Sequence, residues 1–197
     1  MNASLKHFAA LPRSFYAQEP TAVARQLLGK VLIRHYNGLD LAGKIVETEA
    51  YLGVNDPASH SYVGKTKRNE ILYGEAGHAY VHSMRQYCLL DVVTETANQP
   101  SSVLIRAVEP LEGIEAMRLH RQSDNLASLA NGPGKLCKAL CIDRSMNGVD
   151  MTQRGSLYII DAGQVVDAKD IKQTARIGIS KASEALLRFY LESSPRL

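Results

Sequence analysis

Between Pro20 and Gly29 the apolar positions recur at helical spacing, with Ala24, Leu27 and Leu28 on one stripe. Pro20 suits a first helical turn and Gly29 is placed to end it, so the pattern predicts a short helix. Val31 to Tyr36 is β-branched and aromatic, and Asn37-Gly38 follows it as a tight-hairpin signal, which predicts a return strand from Leu39 towards Tyr51. Further strands are expected at Ala79 to Met84, Tyr87 to Thr94, Val103 to Val108 and Leu157 to Ile160. Helical patterns run from Leu111 to Gln122 and from Leu136 to Ile142. Strands clustered early, with helices inserted later, imply an α+β fold rather than an alternating doubly wound one. No repeat or linker divides the chain, so residues 1–197 are read as one domain. Leu52 to Gly77 carries no regular pattern, and so long an irregular stretch is more often functional than idle.

Composition narrows the picture only modestly. At 45% hydrophobic and 22% charged residues, the 197-residue chain can build one sizeable core. It contains no apolar run of membrane-spanning length, and Met1 to Arg13 lacks the unbroken apolar centre of a secretory signal, so a cytoplasmic protein is expected. Cys88, Cys137 and Cys141 are an odd number with no second pair to complete a metal site, which favours core packing and no structural zinc. The formal charge of +3 permits a polyanionic partner without demanding one. Basic residues gather at Lys65, Lys67 and Arg68, and again at Arg118, His120 and Arg121.

Three segments could carry chemistry. In an extended strand Glu47, Glu49 and Tyr51 share one face, which is either a solvated strand face or the mouth of a site continued by Asp56 and His60. His78, Tyr80 and His82 likewise alternate. They could bind a divalent metal with Glu47 or Glu49, but the histidines lie two strand repeats apart, so a rim of rings for stacking is the better reading. Asn131-Gly132-Pro133-Gly134-Lys135 reads as a glycine turn feeding a helix, either a phosphate cradle or a plain structural turn; it lacks the complete P-loop pattern.

Lys44-Ile45-Val46-Glu47-Thr48-Glu49-Ala50-Tyr51-Leu52-Gly53 resembles the signature strand of the alkyladenine (methylpurine) DNA glycosylases. His60-Ser61, Arg68-Asn69, Gly77 to Val81, Leu104 to Gly113, Gly132 to Cys137, Ala175 to Ile179 and Leu187 to Tyr190 are similar to that family's segments in the family's order. The resemblance implies a single compact α+β domain with a curved antiparallel sheet and flanking helices. It also implies a monomer without metal or cofactor that acts on duplex DNA containing damaged purines. By that resemblance Glu49 activates water, Arg106 holds the water and the carboxylate, and Tyr51 and His60 line the pocket for a flipped base. Lys65, Lys67, Arg68 and Lys135 are the expected phosphate contacts.

The chain departs from the family pattern at three places. His82 stands where the family has a stacking tyrosine, Arg85 stands near its intercalating tyrosine in a segment one residue shorter, and Asp91 replaces an asparagine. Met84, Arg85 or Tyr87 could serve as the wedge. An ionised Asp91 would favour cationic bases over neutral hypoxanthine, and protonated His82 would oppose them. Two rival readings are a damage-binding module without turnover, against which Glu49 and Arg106 both argue, and a metal-dependent hydrolase using Glu47, Glu49, His78 and His82.

Overall fold

A computed structural model describes residues 5–194. Its helices are α1 (Arg13–Tyr16), α2 (Pro20–Leu27), α3 (Ile114–Arg121) and α4 (Pro133–Ala139). Its strands are β1 (Val31–Tyr36), β2 (Leu39–Tyr51), β3 (Ala79–Met84), β4 (Tyr87–Thr94), β5 (Ser101–Glu112), β6 (Leu157–Ile160), β7 (Ile171–Thr174) and β8 (Arg188–Leu191). The strands form one eight-stranded sheet, in which β3-β4-β5-β2-β1-β6 lie in that order and β8 joins β2 to β7. Every strand pair is antiparallel. The fold is α+β, as the clustering of strand patterns predicts.

β2 organises the sheet. Along one edge it pairs first with β1, from Leu39 to Lys44, and then with β8, from Glu47 to Glu49. β5 follows its other edge from Ala42 to Tyr51. The hairpin that starts β2 turns on Asn37 and Gly38, both at positive φ (49° and 78°), the geometry for which Asn-Gly is suited.

Three register shifts interrupt the β2–β5 ladder, one between Ala42 and Gly43 and two further on, where Ile45 faces Val108, Glu47 faces Ala107 and Thr48 faces Ile105. Val46 and Arg106 are therefore one extra residue on each strand, and bulges of this kind re-aim side chains. Ile45 and Val46 consequently both enter the core, after which strict alternation resumes. Thr48 and Ala50 face α2, with the Thr48 hydroxyl donating to Ala24 O (2.9 Å), while Glu47, Glu49 and Tyr51 face the other way. The helix side of the sheet is closed by Val23, Ala24 and Leu27 of α2, Met117 of α3, and Leu136 and Cys137 of α4. Cys137 packs in that core as expected, whereas Cys141 is only half-buried beside His120.

The structure moves several boundaries. β5 continues through Leu111 and Glu112, which the sequence pattern assigns to a helix; the chain turns only at Gly113, in the left-handed region, before α3 begins. α4 starts at Pro133 rather than Leu136, and it ends before Ile142 because Cys141 takes a left-handed φ of 51° and Ile142 N–H donates back to Cys137 O (2.8 Å). Helix α1 and strands β7 and β8 have no counterpart among the predicted elements. The irregular stretch from Leu52 to Gly77 contains short 3-10 turns and is stapled by buried Asn69, whose amide donates to His60 O and Gly64 O (2.9 Å each). Ser61 Oγ fixes the same segment to Pro100 O (2.7 Å).

Gly113 cannot be replaced cheaply. Its φ is +72°, and a Cβ would lie 2.5 Å from Leu41 Cδ2 and 2.9 Å from Asp40 O. Gly113→Ala should lower stability by about 1–3 kcal/mol, seen as a fall in melting temperature; an unchanged melt would contradict this turn geometry.

Candidate active site

A cavity of about 420 Å³ opens on the face of the sheet opposite α2. Cross-strand register builds its floor: Leu104 of β5 lies between Glu49 of β2 and Asp91 of β4, and Ser102 pairs with Tyr51. β3 adds Tyr80 and His82, and the loops add His60 and the segment from Ile177 to Ile179. Leu72, Tyr80 and Val93 form a small apolar cluster on this side of the sheet.

Glu49 lies just beneath that floor, with no exposed surface. Its Oε1 accepts the backbone N–H of Ile177 (2.8 Å) and sits 3.3 Å from Arg106 Nη1. Its Oε2 accepts the Tyr51 hydroxyl (3.0 Å). Burial pushes the Glu49 pKa above its ordinary value against the opposing pull of Arg106, the Ile177 amide and Tyr51, while neighbouring Glu47 adds to the rise. Two carboxylates on one strand face would repel each other, and Arg106 resolves this by also donating Nε to Glu47 Oε1 (2.8 Å). Arg188, brought alongside by β8, donates to the same Glu47 oxygen. The result is a buried chain in which acids and guanidiniums alternate.

A second buried pair fixes the loop that supplies the Ile177 amide. Arg176 makes a two-pronged contact with Asp56 (2.5 and 2.8 Å), donates to Ala50 O (2.9 Å), and lays its guanidinium 4.6 Å from the centre of the Tyr51 ring. Burial works to raise the Asp56 pKa, but the Arg176 hydrogen bonds and the amides of Ala58 and Leu52 outweigh it and leave the carboxyl below its ordinary range.

The far wall is aromatic. His60 Nδ1 and the Tyr80 hydroxyl are 2.9 Å apart, the His82 ring stacks on Tyr80 at 5.1 Å, and His60 meets His82 edge-on at 4.5 Å. Burial, His82 and Arg68 lower the His60 pKa against the pull of Asp91. Burial raises Tyr80 to about 12. Asp91 is held by the Ser102 hydroxyl on Oδ2 (2.8 Å), with Oδ1 3.3 Å from His82 Nε2.

Met84, Arg85 and Tyr87 reach the cavity mouth on the tight β3–β4 hairpin, where Arg85 takes a left-handed φ of 54°. The three are not equivalent. Tyr87 rests on Gly134, where a Cβ would come within 2.9 Å of it, so this glycine turn has a packing role. Lys65, Lys67 and Arg68 are exposed on the loop before β3, and Arg68 donates to Ser83 O (3.3 Å) beside the hairpin tip. Lys135 donates to Asn131 Oδ1 (2.8 Å). The structure thus brings Glu49, Tyr51, His60, His82, Asp91 and Arg106 together, with Met84 and Arg85 at the rim. It does not bring in His78, whose Nδ1 contacts Glu75 O and whose backbone bridges to Asp150. The sequence alone assigns no role to Arg176, Ile177 or Arg188 and marks only the place of Asp56; the family-like segments Ala175 to Ile179 and Leu187 to Tyr190 are the signals that contain the first three.

A sequence model of the methylpurine-DNA glycosylase family matches residues 14–195. The chain belongs to that family. It is 46% identical over 186 residues to a Carboxydothermus hydrogenoformans protein whose name assigns it as a 3-methyladenine DNA glycosylase, covering 93% of this chain and 96% of the relative. Similarly named proteins of Koribacter versatilis (43% identity; 98% and 95% covered) and Methanocella arvoryzae (45%; 94% of each) align as completely. The chain is accordingly a DNA glycosylase, a hydrolase acting on DNA. Among the described residues no helix is long and apolar enough to cross a membrane.

For this glycosylase, the Asp56–Arg176 pair should matter to both stability and activity. With side chains 2% and 0% exposed, its loss strands a buried guanidinium. Asp56→Ala should destabilise the fold by about 3–5 kcal/mol in denaturant melts and slow excision further than the unfolded fraction explains; a melt like that of wild type would refute this assignment.

Proposed function

We propose that this glycosylase flips a damaged, chiefly alkylated, purine out of duplex DNA into the cavity and hydrolyses its N-glycosidic bond with water activated by Glu49. The observation that carries this reading is the asymmetry of the Glu49 carboxylate. Oε1 is anchored by Arg106 and the Ile177 amide, whereas Oε2, turned to Tyr51 at the cavity floor, is held by a single hydroxyl. A water that takes the hydroxyl's place on Oε2 can give up a proton there. Its oxygen bonds to the sugar C1′ as the C1′–N9 bond breaks and that electron pair leaves with the base. The sugar passes through an oxocarbenium-like state, which a facing carboxylate stabilises. A purine alkylated at N3 or N7 carries a positive charge before cleavage and departs neutral, so no strong acid is required at the leaving base.

The cavity has the size of a small-molecule site, and Tyr51, His60 and the Tyr80–His82 stack offer ring faces to a purine. Its lining contains no lysine among the described residues, in keeping with direct displacement by water and an abasic product. Met84, half-exposed at the hairpin tip, and Arg85 beside it are the groups free to fill the space left in the duplex. Lys65, Lys67, Arg68 and Lys135 contact phosphates. All these groups come from one chain, so a monomer suffices. Against a metal-dependent hydrolase, the space between Glu47 and Glu49 is filled by the Arg106 guanidinium, the place a metal ion would need.

Glu49→Gln should keep affinity for lesion-bearing duplex and slow single-turnover excision by about 10²–10⁴-fold; near-normal cleavage would exclude Glu49 as the base. The pH profile should report the same group. Protonation of Glu49 removes the base, and its pKa is raised, so wild-type excision should fall with acidification through a midpoint above the ordinary glutamate value of about 4.3. A rate that stays level down to that value would contradict the assignment.

A further inference from the structure

Glu47 and Arg188 lie beside Glu49 and have no task in the chemistry above. Their side chains are only 5% and 14% exposed. Burying two such charges is costly, and apolar residues of similar volume often replace a buried ion pair without loss, so stability alone gives little reason for the pair. Its placement points to Arg106. Glu47 Oε1 accepts Arg106 Nε (2.8 Å), which leaves Nη1 of the same guanidinium 3.3 Å from Glu49 Oε1. Glu47 therefore fixes the direction of the group that answers Glu49, yet it is also a competing anion two residues away on the same strand face. Arg188 offsets that competition. It stands opposite Glu49 in the β2–β8 pairing, but its Nε donates to the Glu47 oxygen that Arg106 uses. Its Nη1 donates to Thr174 Oγ1 of β7 (3.1 Å), and its guanidinium lies 4.6 Å from the centre of the Tyr190 ring. Among the described residues its ion pair is with Glu47 and not with Glu49.

We propose that Glu47 and Arg188 are positioning residues of this glycosylase: Glu47 aims Arg106 at Glu49, and Arg188 neutralises Glu47 so that the charge of Arg106 is kept for Glu49. The inference rests on Glu49 being the base and extends that reading to two residues that do not line the cavity. The groups around Glu49 make the signs definite. Its own strand contributes Glu47 and Tyr51, β5 contributes Arg106, and the loop after β7 contributes the Ile177 amide and Arg176, itself paired with Asp56. Asp91, His60 and His82 line the wall beyond. Arg106 works to expel the proton from Glu49, and Glu47, as a like charge, works to retain it. Without the Arg188 charge, Glu47 draws more on Arg106, and Glu49 takes up its proton at higher pH. Without the Glu47 charge, the like charge is gone and Arg106 is freed, and Glu49 takes up its proton at lower pH. An electrostatic role thus demands opposite shifts from the two halves of one ion pair, whereas loss of a merely structural pair impairs the enzyme the same way from either side.

The test is the pH dependence of single-turnover excision, at saturating enzyme, from a duplex carrying one 7-methylguanine. Acid midpoints are compared for wild type, Glu47→Gln, Arg188→Gln and Arg188→Lys over the pH range in which melts show each protein folded. The midpoint should move down by about one pH unit in Glu47→Gln and up by about as much in Arg188→Gln, and Arg188→Lys should bring it back towards that of wild type. Glu47→Gln keeps the shape and an acceptor for Arg106, so it decides the matter even where Arg188→Gln does not fold. A midpoint that stays or rises in Glu47→Gln overturns the inference, as does one that stays or falls in folded Arg188→Gln. Near-normal excision by Glu49→Gln overturns the base assignment and this inference together; loss of excision in Glu49→Gln with unmoved midpoints in the other variants overturns this inference alone.

Discussion

An acid buried beneath the cavity floor must stay chargeable, and the architecture of this chain follows from that constraint. A lone carboxylate removed from solvent simply takes up a proton. Three donors of different kinds oppose that outcome at Glu49, a guanidinium, a backbone amide and a phenol, each delivered by a different part of the chain. The guanidinium comes from the extra residue that a bulge inserts into β5, the amide from a loop held by a buried ion pair, and the phenol from the same strand two residues on.

The opposite wall obeys a different economy. Around Glu47 and Glu49 the carboxylates are answered by guanidiniums, whereas Asp91 is answered by a hydroxyl and an imidazole. On the function proposed above, the ring-lined wall holds the base and the acid at the floor severs it.

Local signals in the sequence carried the near-neighbour structure well. Asn37-Gly38 marked the hairpin, and the alternation in β2 put Glu47, Glu49 and Tyr51 on one face, as the structure has it. The short apolar-polar run at Leu111 and Glu112 fits either period, and only the pairing with β2 makes it strand. β7 and β8 carry no such signal, since Ile171–Thr174 and Arg188–Leu191 mix polar and apolar residues over four positions, unlike the uniformly apolar Leu157–Ile160. The partners of Glu49 were half legible. Arg106 lies in a segment with a family resemblance, but the tie between Asp56 and Arg176 spans 120 residues and exists only once the loops meet. The pairing of His82 with Asp91 could not be read without the register of β3 on β4.

The borrowed edge of β2 has a temporal consequence. Arg188 reaches Glu47 only when β8 takes the stretch of β2 that β1 leaves open, and the loop bearing Ile177 precedes it by barely a dozen residues. As the chain leaves the ribosome, nearly all of the sheet can assemble while the acid pair at its centre still lacks these partners. The segments latest in chain order are thus the ones that complete the charge network around Glu47 and Glu49.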